Sequence, residues 1–171
     1  GLAHERPDFT DAPVIMARVS KVEPMTPEVT KYEFTAWDGA PLPAWTAGGH
    51  LDIVITPDFL RQYSMSGDPA DRSRYQIGVL REDDGRGGSQ MMHRIFDEGR
   101  RVFISKPINH FELVEDATRT FLMGGGIGIT PMIAFAHRLH ALGKPCELHY
   151  SASTEDRAGY VEDLRAAPWA D

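Results

Sequence analysis

Cysteine is nearly absent: Cys146 is the single one in 171 residues. One thiol excludes an internal disulfide, a zinc ribbon and a cysteine-ligated iron–sulfur cluster within this stretch. No apolar run approaches the ~18 residues of a membrane span, and no cleavable signal opens the chain. Positive charge is also short, with 18 Lys and Arg against 25 Asp and Glu, a formal charge of -7. Phosphate backbones call for a basic face, so nucleic acid is not expected as the main partner. The expected compartment is the cytoplasm, with no membrane involved. What is present is ordinary globular composition, 42% hydrophobic and 25% charged. A chain of this size buries roughly 70% of its unfolded surface, enough to fold without cross-links.

Residues 1–12 are polar, lack periodicity and carry Pro7, which reads as a linker or arm. The pattern then turns to β. Val14, Met16 and Val19 mark a first run, and Tyr32, Phe34 and Ala36 alternate strictly in a second, with Pro24 and Pro27 at the turn between them. Further runs follow at HLDIVIT, RQYSMSG, RYQIGVL and RVFIS. Six short strands at this spacing predict a small antiparallel barrel over residues 13–114. One helix interrupts them: Met91, Met92, Ile95 and Phe96 recur at helical spacing after Gly87-Gly88, and Ser89 is expected as the N-cap.

After Pro107 the texture changes. TRTFLMGGG is a short apolar strand ending in glycines, followed by Ile127-Gly128-Ile129-Thr130-Pro131. An apolar-periodic helix (Met132, Ile133, Phe135, Ala136, Leu139) follows, with Gly143 expected as its C-cap. PCELHY predicts the next strand, with Cys146 inside it, and GYVEDLRAA the next helix. Strand, glycine turn, helix, strand, helix is a βαβ pattern, so residues 115–171 predict a doubly wound α/β unit. Only two of its strands are visible. The chain starts at Gly1 rather than Met and ends on a helix-like run, which suggests an internal stretch of a longer polypeptide.

Glycines between Gly124 and Gly128 let backbone amides approach a bulky anion with no Cβ in the way. Thr130 as N-cap and Pro131 as first helical residue would turn the positive helix end toward it, and a dinucleotide pyrophosphate is a natural occupant. The spacing is not GxGxxG, and a tight turn that packs a helix on a strand explains the same glycines. Gly87-Gly88-Ser89 offers a second helix-start anion site, and Arg61-x-Tyr63-Ser64 sets a guanidinium and hydroxyls on a strand between the two.

RQYSMSGDP, YQIGVLREDDGRGGS, KPINHF and GGGIGITPM, in this order and spacing, resemble the phthalate dioxygenase reductase family of the ferredoxin–NADP reductase-like superfamily. The resemblance runs from about Pro13 to the last residue. It implies a flavin-binding β-barrel followed by a nicotinamide-nucleotide-binding α/β domain. It implies an NAD(P)H-dependent flavin oxidoreductase: hydride passes from NAD(P)H to FMN, then single electrons pass to a [2Fe–2S] ferredoxin-type domain that serves an oxygenase. By position, Arg61, Gln62, Tyr63 and Ser64 line the flavin, with Tyr63 against the isoalloxazine ring. Val79, Leu80 and Arg81 form a second flavin strand. Gly87, Gly88, Ser89 and Gln90 form the phosphate loop, which suits the single phosphate of FMN. Gly125, Gly126, Gly128 and Pro131 form the nucleotide turn, and Thr130 comes near both flavin and nicotinamide. Ser64 and Thr130 are the expected catalytic residues. Pro107, Asn109 and Phe111 match a loop given a structural role between domains.

The sequence departs from the family in length. The later cysteine-glycine-proline motif and the four ferredoxin cysteines are absent, so [2Fe–2S] is expected only in a part not present here, and nucleotide binding is expected to be weak. The arm HERPDFTDAPV is similar to linkers in self-sufficient haem monooxygenases, which makes a haem oxygenase in the same polypeptide one arrangement and a stand-alone reductase the other. NADH and NADPH both remain open: acid at Glu155 and Asp156 favours the first, Arg157 the second. An FAD-dependent reductase with another acceptor and a non-enzymatic β-barrel interaction module are the alternatives. No metal site is expected: His137 and His140, three apart on a helix, have no nearby third ligand and read as a surface face. Glu82, Asp83 and Asp84 read as a solvated turn, and Trp37, Trp45 and Trp169 as core or loop anchors.

Overall fold

The computed structural model describes residues 14–57, 59–82, 87–153 and 158–170. The N-terminal arm, Asp83, Asp84, and the group Glu155, Asp156 and Arg157 lie outside the described residues. Strands β1 (Val14–Pro24), β2 (Val29–Ala36), β3 (His50–Thr56), β4 (Phe59–Ser66), β5 (Tyr75–Leu80) and β6 (Arg101–Ser105) close a barrel in the order β1-β2-β5-β4-β3-β6. Each strand pair is antiparallel. Alternation explains the closure: Tyr32, Phe34, Leu51, Ile53, Tyr75 and Ile77 all turn inward and are buried.

Helix α1 (Gly88–Ile95) follows β5 and drives Met92 and Phe96 into the barrel core. The Phe96 ring meets Tyr32 and Phe34 edge-on, with centroids 5.9 and 6.5 Å away. Burying each of these side chains contributes roughly 1.5–3 kcal/mol, so the helix is anchored through its second half while its first turn stays at the surface of the barrel. Its N-cap is Gly87, at φ 88, rather than Ser89. Ser89 lies inside the helix, because its Oγ instead accepts the backbone N–H of Glu82 at 3.0 Å.

The second unit holds β7 (Thr120–Gly125), a 3₁₀ turn (Gly126–Gly128), α2 (Ile129–Ala141), β8 (Cys146–Ser151) and α3 (Val161–Ala166). β7 and β8 pair in parallel, with α2 as the crossover. α2 buries Ile129, Ile133, Phe135 and Leu139, and packs on β4 of the barrel as well as on β7 and β8. Its C-cap is Leu142 rather than the expected Gly143, which follows at φ 69, and the Gly143 and Lys144 N–H groups bond back to the carbonyls of His140 and Leu139. Its start differs from expectation. The 3₁₀ turn makes Ile129 the first helical residue, so Thr130 is second and Pro131 third, and the Thr130 hydroxyl donates to the Ile127 carbonyl at 3.1 Å. Cys146 opens β8 rather than sitting mid-strand, and is half-buried. His137 is half-buried as well, edge-on to Trp169, rather than on an open surface. Among the described residues no metal-binding cluster forms, and no helix is long and apolar enough to cross a membrane.

Side-chain contacts add to the packing of α2 on β4 in joining the units. Asn109 Nδ2 donates to Thr46 Oγ1 and to the Ala47 carbonyl, its Oδ1 accepts the Phe111 N–H, and the Phe111 ring meets Phe135 of α2. On β2, Lys31 bonds Asp163 of α3 at 2.8 Å and Glu23 at 3.2 Å. The outer face of the β7–β8 ribbon is open: Phe121 and Met123, beside Glu147 and His149, are 59% and 76% exposed.

Candidate functional site

A cleft of about 410 Å³ opens where the barrel meets the second unit. Strand β4 supplies one wall through Arg61, Gln62, Tyr63 and Ser64. The end of β5 adds Leu80, the start of α1 adds Gly88 and Ser89, and the turn into α2 adds Gly128, Thr130 and Pro131. Segments expected from sequence to serve one ligand therefore converge in space, though they span residues 61–131.

The α1 end of the cleft has the chemistry of a phosphate seat. The first intrahelical bond runs from the Met91 N–H to Gly87, so the N–H groups of Gly88, Ser89 and Gln90 have no intrahelical acceptor. No acidic residue occupies this first turn, and the positive helix end is left for an anion. Arg61 folds across it. A Cβ at residue 88 would stand 2.7 Å from Arg61 Nε and 3.2 Å from Cζ, so glycine there is what lets the guanidinium lie against the helix start. Arg61 spends one N–H on the Leu60 carbonyl at 2.8 Å and lies over the Phe59 ring. Ser89, whose oxygen is already accepting from Glu82, keeps its O–H to donate. Gln90 acts on the loop itself, donating from Nε2 to the Glu82 carbonyl.

Tyr63 packs partly against the barrel core, and burial pushes its phenol up to about 12, with the Arg61 charge pulling the other way. It is a neutral, flat apolar surface throughout the physiological range. Ser64 follows it with a hydroxyl that makes no hydrogen bond among the described residues. Facing them is Thr130, 4% exposed.

Not all expected residues reach the cleft. Val79 turns its side chain into the core, fully buried, and its carbonyl is met by His93 Nε2 at 3.3 Å. Arg81, Gly87, Gln90, Gly125 and Gly126 flank the cleft without lining it. Three lining residues carried no expectation: Gly78, Glu82 as a site residue, and Ile127. A glycine in mid-strand was the available signal for Gly78, since it marks close approach of another group. A larger hollow, about 720 Å³, lies between Trp45 and Arg138. It is walled by Glu112, Glu115 and Asp116, with Arg138 tied to Glu115, and lacks the converging helix start and hydroxyls of the smaller cleft.

No protein-family model matches the chain. The reductase subunit of tert-butanol monooxygenase / tert-amyl alcohol desaturase from Aquincola tertiaricarbonis is 44% identical over 142 residues, 83% of this chain and 42% of that protein. A vanillate O-demethylase oxidoreductase from Pseudomonas sp. is 40% identical over 153 residues, 90% of this chain and 48% of its own. The structure of phthalate dioxygenase reductase superposes with a TM-score of 0.86 at 33% identity, over 91% of this chain and 49% of that one. Over about nine-tenths of its length the chain is similar to phthalate dioxygenase reductase and to reductase subunits of oxygenase systems.

That relative is described as a modular structure for electron transfer from pyridine nucleotides to [2Fe–2S]. An intact type IV self-sufficient cytochrome P450 monooxygenase also superposes, at TM-score 0.84 and 36% identity, over 89% of this chain and 20% of that one. The expected fold, a closed six-stranded barrel followed by a parallel α/β unit, is the fold of the family. The chain spans about half the length of the curated relatives it matches.

Proposed function

We propose that the chain is the flavin- and nucleotide-binding part of an oxygenase reductase, an NAD(P)H-dependent flavin oxidoreductase working in the cytoplasm. In this reading residues 13–114 hold FMN and residues 115–171 bring the nicotinamide nucleotide to it. Electrons then leave singly for a ferredoxin-type [2Fe–2S] domain that serves an oxygenase, haem-containing in one arrangement. The observation that carries the reading is Arg61 folded on Gly88 at the open start of α1, in one cleft with the turn Gly128–Pro131. That donor set fits a single terminal phosphate: one guanidinium, one hydroxyl and three helix-start N–H groups.

When bound, FMN supplies the chemistry, accepting a hydride and releasing electrons one at a time. The residues hold it and present it. Arg61, Ser89 and the α1 N–H groups fix the phosphate, and Tyr63 gives the ring a flat apolar face. Ser64 is free to donate to a ring edge that gains negative charge. Thr130 and Pro131 occupy the wall against which nicotinamide would stack, and α2 fixes their distance from β4 because it packs on both units. No side chain needs to move a proton for a hydride to pass.

The test is the visible spectrum of the purified chain before and after anaerobic NADH and NADPH. A yellow protein bleached by either supports the reading, and the faster nucleotide names the donor. Bleaching by dithionite alone supports the flavin site and removes nucleotide use by this chain. Two phosphorus atoms per released flavin replace FMN with FAD. A colourless chain that takes up no added flavin favours the barrel interaction module.

A further inference from the structure

Tyr160 does not line the cleft, yet it stands directly behind two residues that do. It precedes α3 and is 3% exposed, with its backbone at φ 71, the single positive φ among described non-glycine residues. A Cβ on Gly78 of β5 would meet Tyr160 Oη at 2.5 Å, Tyr160 Cε2 at 2.7 Å and Ile127 Cδ1 at 3.0 Å. Gly78 belongs to the barrel wall of the cleft and Ile127 to the nucleotide-turn wall. The two walls therefore meet here, and the phenol of Tyr160 fills the socket that a missing side chain leaves.

The ring is fixed from several sides. Its Oη shares a hydrogen bond with Ser66 Oγ at 3.2 Å, and Ser66 lies two positions beyond Ser64 on β4. Tyr150 of β8 donates to the Gly159 carbonyl at 2.7 Å, which holds the backbone just before it. A Cβ at Gly159 would strike Val29 Cγ1 at 2.7 Å, so that backbone lies directly on β2. Lys31 and Asp163 close the far side at 2.8 Å. A tyrosine held in the left-handed region is strained, and these contacts are what keep it there.

We propose that Tyr160 is a positioning residue: seated in the Gly78 socket and tied to Ser66, it sets the gap between β5 and the turn at Ile127. That gap is where a flavin ring and a nicotinamide would have to stack, so the inference rests on the functional reading above. Gaps of this kind matter steeply, because a displacement of about 1 Å can slow an aligned transfer by roughly a hundredfold.

The test uses the FMN-loaded chain with Tyr160→Phe, Tyr160→Leu, Gly78→Ala and the pair Gly78→Ala/Tyr160→Leu. Readouts are the FMN dissociation constant, iodide quenching of bound-flavin fluorescence, and the nucleotide-induced change in the flavin spectrum. The wild type is measured first, and failure to take up FMN there overturns the functional reading and this inference together. With FMN bound, Tyr160→Leu is expected to leave FMN affinity within about twofold while raising iodide access and weakening the nucleotide response roughly tenfold. Gly78→Ala, a change in the cleft wall itself, is expected to raise iodide access and weaken the nucleotide response as well, and the double variant to lie closer to wild type in both than Gly78→Ala alone, since the Leu removes the atoms that clash. Tyr160→Phe keeps the ring and loses only the bond to Ser66, so its iodide access and nucleotide response are expected to fall between wild type and Gly78→Ala, which covers the case in which Tyr160→Leu does not fold. Loss of FMN affinity in step with the other readouts, unchanged iodide access, or strict additivity of the two substitutions overturns the proposal.

Discussion

Lys31 and Asp163 meet across the joint between the two units, Nζ 2.8 Å from Oδ2, though 132 positions separate them in the chain. Glu23, directly opposite Lys31 on β1, completes the group at 3.2 Å. Burial alone would lower the Lys31 ammonium, but the hydrogen bonds and charges of Asp163 and Glu23 outweigh it and hold it above the ordinary value of 10.5. A raised folded value means that the stabilisation is fully present below 10.5 and is lost as pH climbs through the folded value. Lys31→Met should therefore cost about 1.5–3 kcal/mol at pH 7, the scale of charged hydrogen bonds. Urea unfolding at pH 7 and pH 11 checks this: the gap between wild type and variant should narrow at the higher pH.

Arg61 should distinguish phosphorylated from unphosphorylated flavin. Removing its guanidinium in Arg61→Ala takes away charged hydrogen bonds of about 1.5–3 kcal/mol, or roughly ten- to a hundredfold in FMN affinity. Riboflavin, which has no phosphate, should bind wild type and variant about equally. Fluorescence titration with both ligands is the measurement.

Gly88→Ala should separate stability from binding in opposite directions. Alanine favours the helix by about 0.5–1 kcal/mol, so thermal stability should hold or rise. Its methyl group would stand 2.7 Å from Arg61 Nε and displace a flexible side chain rather than backbone. FMN affinity should fall toward that of Arg61→Ala.

Ser64→Ala should leave the flavin in place and slow its reduction. The hydroxyl has no protein partner among the described residues, so its loss leaves nothing buried unsatisfied. One donor to developing negative charge is worth about 1.4–2.7 kcal/mol, which is roughly ten- to a hundredfold in rate. Stopped-flow reduction at saturating nucleotide, beside an unchanged FMN titration, checks it.

Local pattern carried the barrel. Tyr32 and Phe34 alternate inward along β2 as the period of two demands. The same pattern sends Lys31 and Glu33 outward, which reads as solvent, whereas the structure buries them at 6% and 5% exposure. Their cover comes from far away in the chain, Asp163 for one and Arg74 with Gln76 for the other, and no local periodicity encodes that. The cleft was legible through its polar and glycine residues. Ile127 and Tyr160 were not, because an apolar turn residue and a phenol after a glycine look like ordinary packing until the two units are brought together. The helix starts were misread for a local reason: a serine or threonine hydroxyl near a glycine suggests a cap, but at Ser89 and Thr130 it bonds to a neighbouring loop or turn instead.

The two sheets differ in what they offer to other strands. In a closed barrel each strand has two partners, so β1 to β6 give another chain no template to extend. Among the described residues β7 and β8 form a two-stranded parallel ribbon with both edges unpaired and an apolar outer face at Phe121 and Met123, where parallel sheets are ordinarily covered on both sides. If copies of the chain pair through strands, this ribbon is where the described residues leave room for it. Such pairing would then depend on Phe121 and Met123, the exposed apolar side chains of that face.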